Sequence, residues 1–350
     1  MKVKKRILIA PLDWGIGHAT RCIPIIKALI AHNFEVVIAA DNRPLHLLTT
    51  EFPDLEVIRF SGYNVKYSTY LPMIFSMIFQ IPKILLGIKK EHKMVEQIIE
   101  DYKIDGLISD NRFGLSTKKV PCVFVTHQLQ IQSPIFTDAI QNFNYQYINK
   151  YNACWVMDGE KINLAGNLSK PNILPNNSAY IGPQSRFEKR DIEKQYDFLA
   201  IVSGPEPQRT IFEKGLIKVL KDRKEKSLIV LGKPELNTSE KIGSLSIQSH
   251  LNSKELNTAI LQSELIICRP GYSTVMDLAK LEKKAIFIPT PGQTEQEYLA
   301  ENFMSKGICY SQNQSDFNFE LALKESKNYN GFSTSDNRNT NWENLFLLFN

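Results

Sequence analysis

Strand-length apolar runs alternating with amphipathic helical stretches constrain this chain more than any other feature. RILIAPL, EVVIAAD, LEVIRF, DGLISD, PCVFVTH and ACWVMD follow one another in the first half, and helical spacing separates several of them, as at 20–32 and 89–102. Strands that are apolar throughout must be covered on both faces, and intervening helices supply the cover, so the pattern predicts a mostly parallel sheet. It pauses over 159–196, a stretch rich in Asn, Pro, Ser and Gly, then restarts with DFLAIVSG, KSLIVLG, SIQSHL, LIICRPG and KAIFIPT. The fold class is therefore α/β, with two Rossmann-like doubly wound domains, and 350 residues suffice for two cores. The expected boundaries are 1–165 for the first domain, 166–192 for a linker and 193–335 for the second domain. The end, NWENLFLLFN, reads as a terminal helix within 336–350 whose apolar face docks back on the first domain.

Charge narrows the partners. Net charge is +5, and residues 1–180 carry all of the excess, with 20 Lys/Arg against 15 Asp/Glu. That is too weak for a nucleic-acid surface, and no Lys/Arg-rich block supports one. It suits contact with anionic lipid. The five cysteines stand singly and form no C-x-x-C pair, which reads as reduced core thiols in a cytoplasmic protein. The apolar run after MKVKK stops at Asp13, too short for a signal peptide.

In doubly wound folds ligands bind at the carboxyl ends of strands, so the loops there carry the chemistry. The first is LDWGIGHAT. Gly15 and Gly17 permit a tight turn and leave a helix N-terminus open, with Asp13 beside them. His18 falls in the first turn of that helix, where the positive end of the dipole lowers an imidazole pKa and favours a neutral base. A capping histidine is the other reading. Asp110 in LISDNRFG can orient His18 through its far ring nitrogen, or serve as an ordinary turn residue. His127 and Gln128 in VTHQLQ suit a hydroxylated ligand or structural hydrogen bonding. Ser203, Gly204 and Arg209 in IVSGPEPQRT can hold a phosphate, although the turn lacks the Gly-Lys-Ser/Thr of a P-loop. The richest stretch is 267–303. Gly271, Ser273 and Thr274 open a helix, Asp277 lies one turn in, placed for vicinal ribose hydroxyls, and PTPGQTEQE offers Gln293, Gln296 and Glu297 to a sugar.

That stretch, with the opening Gly-x-Gly-His, resembles glycosyltransferases of the GT-B fold. CRPGYSTVMD is similar to the C-R-S-G-x-x-T-x-x-E of glycosyltransferase family 28, and PTPGQTEQEY to that family's segment ending in paired glutamines. The resemblance spans both domains, with its specific motifs in 266–303. It implies two facing Rossmann-like domains with an interdomain cleft, and a donor site around Gly17, Arg186, Ser203, Gly204, Arg209, Arg269, Gly271, Ser273, Thr274, Asp277, Gln293, Gln296 and Glu297. Thr274 lies by the donor diphosphate, Asp277 takes the uridine ribose where the family uses Glu, and Gln296 matches the first paired glutamine. Glu297 replaces the second. IGPQSR resembles G-N-P-x-R, so Arg186 reaches the diphosphate. THQ resembles part of an acceptor-side H-E-Q-N, which with Asp13 and Gly15 places His127 and Gln128 on that side. The departures from the peptidoglycan GlcNAc transferases, including a reduced glycine cluster, imply a relative of those enzymes.

The activity implied is an inverting transfer from a UDP-sugar to a hydroxyl, with His18 as base and Asp110 behind it. No cofactor and no metal are expected, since no D-x-D flanks a strand end and no His/Cys cluster has metal spacing. Residues 66–93 are the most hydrophobic segment, but the longest uncharged run, Tyr67–Pro82, is 16 residues and too short to span a bilayer. Lys83, Lys89, Lys90 and Lys93 follow it, so the segment reads as a patch for an anionic membrane or as a core helix. The resemblance favours the former, with a lipid-linked acceptor at the inner face of the cytoplasmic membrane. A sugar-nucleotide epimerase or hydrolase, and a non-catalytic sugar-nucleotide-binding protein, are the competing readings.

Overall fold

The computed structural model describes residues 4–63, 80–131, 137–160, 163–333 and 340–350. The chain forms two compact units, one from residues 1–184 and 336–350, the other from Ser185–Ser335.

The first unit is built on β1 (Arg6–Pro11), α1 (Ile16–Ala31), β2 (Glu35–Ala40), α2 (Asn42–Glu51), β3 (Glu56–Arg59), α3 (Ile81–Asp101), β4 (Gly106–Asp110), β5 (Cys122–Thr126), α4 (Thr137–Ile148), β6 (Ala153–Val156) and β7 (Ser178–Tyr180). Its sheet runs β3-β2-β1-β4-β5-β6-β7, parallel throughout. Ile7, Leu8, Ile9, Leu107, Ile108, Val123 and Val125 are fully enclosed, which is why these strands read as continuous apolar runs. Strand order reverses between β1 and β4, and both the Asp13–His18 loop and Asp110 lie at the carboxyl ends of that pair.

The expected linker begins too early. Ser178–Tyr180 pairs with β6 as the seventh strand, and the first unit continues to Gln184. Three half-buried residues at a sheet edge need no apolar run, so sequence patterning gave no sign of them.

The end of the chain belongs to the first unit. In α10 (Trp342–Phe346) and the turn after it, Phe346 and Phe349 are buried among Phe34 and Trp155. Lys5 Nζ donates to the Phe349 carbonyl at 2.7 Å and Thr340 Oγ1 to the Ile181 carbonyl at 2.6 Å.

The second unit comprises β8 (Tyr196–Ile201), α5 (Gln208–Leu220), β9 (Ser227–Val230), β10 (Ser239–Ile242), β11 (Leu245–Gln248), α6 (Ser253–Leu261), β12 (Ser263–Cys268), α7 (Tyr272–Lys280), β13 (Lys284–Phe287), α8 (Thr294–Ser305), β14 (Tyr310–Ser311) and α9 (Phe319–Ser326). Its sheet runs β10-β11-β9-β8-β12-β13-β14, with β10 antiparallel at the edge. Order reverses between β8 and β12, whose carboxyl ends carry the Ser203–Gly204 and Arg269–Gly271 turns.

Of the hydrophobic stretch 66–93, residues 66–79 lie outside the described residues. The remainder forms the start of α3, where Lys83, Lys89, Lys90 and Lys93 are exposed beside Ile81 and Leu86, while Ile88, Val95, Ile98 and Ile99 face the core. No helix among the described residues is long and apolar enough to cross a membrane.

Candidate functional site

In the first unit, Gly15 precedes α1 with φ 154°, a conformation L side chains rarely adopt, and the helix starts with no side-chain cap. Its third residue, His18, keeps 18% of its side chain exposed and turns Nδ1 inward, 3.2 Å from Asp110 Oδ1. The structure thus brings His18 and Asp110 together.

It also brings in a residue that sequence reasoning missed. Arg21, one helical turn after His18 and 3% exposed, occupies the centre of the group. Its Nε donates to Asp110 Oδ2 at 2.7 Å and Nη2 donates to Asp110 Oδ1, a two-pronged ion pair. Nη2 also lies 2.7 Å from His18 Nδ1, and Nη1 lies 3.0 Å from His127 Nδ1. The signal was the i, i+3 spacing to His18, but a lone arginine on a helix reads as a solvated residue.

The charges follow from this packing. Burial opposes ionisation of Asp110, but the Arg21 charge, assisted by His18, outweighs it and holds the carboxyl well below the usual range. Burial first, then Arg21, push His18 below its ordinary value, so the imidazole is neutral at pH 7. The expectation that the helix dipole does this is replaced by desolvation and a guanidinium. Cys22, whose Sγ contacts Asp110 Oδ2 at 3.7 Å, has its thiol pushed up by burial and is inert.

Two acceptor-side expectations change. His127 is 4% exposed and held by Arg21, so it is part of the buried network. Asp13 Oδ2 accepts from the Gly62 amide at 3.1 Å. A Cβ at Gly62 would fall 1.9 Å from Asp13 Oδ1, so only glycine fits there without moving that carboxylate. Gly62→Ala should cost about 1–3 kcal/mol, read from the midpoint of urea unfolding; an unchanged midpoint would mean that the loop yields freely. Gln128 is half-buried, its amide donating to Thr126 Oγ1.

Beneath this site the turn after β4 is clamped. Arg112 is buried, donating to Glu91 Oε1 at 2.8 Å, to the Pro11 carbonyl at 2.9 Å and to the Phe60 carbonyl at 3.0 Å. Burial raises the Glu91 carboxyl to about 7 against the opposing pull of Arg112. One arginine thereby ties α3 to the ends of β1 and β3, fixing the turn that presents Asp110.

In the second unit, Gly271 precedes α7, whose first turn has no side-chain cap; Ser273 and Thr274 are half-buried within it. Asp277 Oδ1 accepts from Ser185 Oγ at 2.6 Å. Burial raises its carboxyl to about 6, against the pull of Arg186 and Ser185. Arg186 Nη1 donates to Ser253 Oγ at 2.9 Å, and its guanidinium sits 4.8 Å from the Phe187 ring centre. Ser185 and the carboxylate it holds were not foreseen as a pair. Gln293 is the residue before α8; Gln296 Oε1 accepts from the Thr290 amide and Glu297 Oε1 from the Gly292 amide, both at 2.8 Å. The last two therefore each brace the backbone of their own turn.

Arg269 is a further correction. It is 1% exposed, stacked 4.2 Å from the Phe212 ring centre, with its Nη atoms donating to the Ile288, Pro289 and Gln208 carbonyls and to Gln314. It braces three other segments, and burial lowers it to about 10. Arg209 is likewise committed to the Leu231 carbonyl and Glu206. Yet Arg209 Nε, Arg269 Nε and Thr290 Oγ1 are buried with no hydrogen-bond partner among the described residues. Gly204, exposed with φ 108°, would place a Cβ 3.3 Å from Thr290 Oγ1 and 4.0 Å from Arg269 Nε. Ser203 beside it is half-buried. Among the described residues no cluster of His, Cys, Asp and Glu could hold a metal ion.

Two seven-stranded Rossmann-like sheets, each presenting polar loops where strand order reverses, are the architecture of the GT-B fold. The comparisons agree. Residues 215–339 match the glycosyltransferase family 28 C-terminal domain. The UDP-N-acetylglucosamine--N-acetylmuramyl-(pentapeptide) pyrophosphoryl-undecaprenol N-acetylglucosamine transferase of Buchnera aphidicola subsp. Schizaphis graminum is 31% identical over 332 residues, covering 91% of this chain and 88% of that one. Among solved structures, the glycotransferase of kitacinnamycin superposes with TM-score 0.63 at 13% identity, over 99% of this chain and 94% of that one. MurG of Acinetobacter baumannii gives 0.53 at 15% identity, over 93% and 90%. The chain belongs to glycosyltransferase family 28.

Proposed function

We propose that this glycosyltransferase moves a sugar from a UDP-sugar to a hydroxyl acceptor with inversion, using its own side chains and helix ends in place of a metal. His18 carries the reading: it is a neutral imidazole at the switch point of the first sheet, anchored through Nδ1 and partly exposed. The acceptor oxygen forms its bond to the anomeric carbon as the carbon–phosphate oxygen bond breaks. The acceptor proton passes to His18, and UDP departs with the electron pair. The uncapped start of α7 and Arg186 suit the diphosphate charge, and the half-buried Asp277 carboxylate suits ribose hydroxyls. The Buchnera relative's name specifies a UDP-N-acetylglucosamine donor and an undecaprenol-linked acceptor. A UDP-sugar donor and a lipid-linked acceptor are taken from it here, with the exposed lysines of α3 facing an anionic membrane on the cytoplasmic side.

A calorimetric panel of UDP, UDP-GlcNAc, UDP-glucose, UDP-galactose and GDP-mannose tests the donor class. Uridine compounds should bind and GDP-mannose should not; equal binding of all would sink the assignment. Asp277 adds a signature. UDP-GlcNAc has no phosphate monoester titrating near pH 6, so its affinity should fall as pH drops below about 6 and the carboxyl protonates. Asp277→Asn should remove that step. UDP release that runs to completion without an acceptor would favour a hydrolase.

A further inference from the structure

Four N–H groups of Arg21 point at three neighbours: two at Asp110, one at His18 Nδ1 and one at His127 Nδ1. A guanidinium donates and never accepts. An imidazole nitrogen 2.7 Å from Nη2, or 3.0 Å from Nη1, must therefore offer a lone pair. The fork is self-consistent: Nε and one Nη2 hydrogen grip the carboxylate, the second Nη2 hydrogen is left for His18, and Nη1 reaches His127. Asp110 Oδ1, at 3.2 Å from the same Nδ1, is the more distant partner and is already bound by Arg21.

We infer that Arg21 is the positioning residue of this site, holding His18 and His127 as neutral imidazoles with Nδ1 bare and the proton on Nε2. This rests on the assignment of His18 as the base and sharpens it. A triad-like arrangement requires the opposite form, Nδ1–H donating to the carboxylate with Nε2 free. The resting protein instead presents His18 Nε2–H to a ligand as a donor. His18 becomes a base when Nη2 releases Nδ1, Nδ1 takes a proton from solvent and keeps it in an N–H hydrogen bond to Asp110 Oδ1, and the Nε2 proton leaves to solvent, so that the ring stays neutral. Asp110 then acts first by fixing Arg21. Among the described residues, the charged and titratable groups that act on His18 are Arg21 from its own helix, Asp110 from β4 and His127 after β5.

Long-range proton–nitrogen correlation spectra of the ¹⁵N-histidine-labelled protein at pH 7.5 read the tautomers directly and need no variant of Arg21. Of the six histidines, the two that matter are assigned with His18→Gln and His127→Gln. Protonated Nε2 and bare Nδ1 in both rings is the expected result; Nδ1–H in His18 overturns the inference. The second measurement is the acid limb of kcat/KM for transfer. In Arg21→Gln the limb should move to higher pH, because burial still depresses His18 but the neighbouring cation no longer does. A merely structural arginine would lower the rate evenly at every pH and leave the limb in place, and that result also overturns it. Undiminished transfer by His18→Ala would defeat the base assignment alone, since the spectra decide the Arg21 assignment independently.

Discussion

Asp110→Ala destabilises the protein by about 3–5 kcal/mol, because removing one partner of a buried ion pair strands the other. Arg21 is 3% exposed and Asp110 is fully enclosed, so neither can turn to water for compensation. The loss is read from urea unfolding followed by circular dichroism, with the unfolding slope as a check on two-state behaviour. Replacing both members, as Arg21→Met with Asp110→Leu, removes the stranded charge and should cost clearly less than the two single changes together. A single-variant loss under about 1 kcal/mol is the magnitude of an exposed pair and would contradict the burial described here.

His18→Ala leaves the fold intact and lowers kcat by about 10²–10⁴-fold, the usual contribution of a positioned base. Stability should change little, since the ring is partly exposed and its removal frees one Arg21 donor while the carboxylate grip persists. The assay is UDP release in the presence of acceptor, with donor binding measured in parallel by calorimetry. Unimpaired donor affinity together with lost turnover identifies a chemical role. A variant within threefold of the parent would move the base elsewhere.

Much of the fold was legible because its central strands are buried on both faces. Ile7–Ala10 and Ile266–Cys268 are apolar at every position, and that pattern survives without any knowledge of partners. The edges were not. β7 is three residues and β10 has exposed side chains at most positions, so neither needed an apolar run. The same contrast holds in the site. His18 and Asp110 were visible as polar residues in turns after strands. Arg21 was not, because what makes it central is a contact to a residue 89 positions away. Arg269 failed in the reverse direction: its motif position suggested a ligand, while its guanidinium serves backbone carbonyls that only the folded chain brings together.

The return of residues 340–350 to the first unit has a consequence for the order in which the protein can be made. A ribosome delivers Ser185–Ser335 before it delivers Phe346 and Phe349, so the second unit has its whole sequence in hand while the first still lacks part of its core. Until then Trp155 and Phe34 have no cover on that side, and Gly106 waits for the Phe349 ring that would stand 2.4 Å from any Cβ placed there. The half translated first is thus the half completed last, and a nascent chain stalled before residue 340 holds all of the second unit's sequence and only part of the first unit's core.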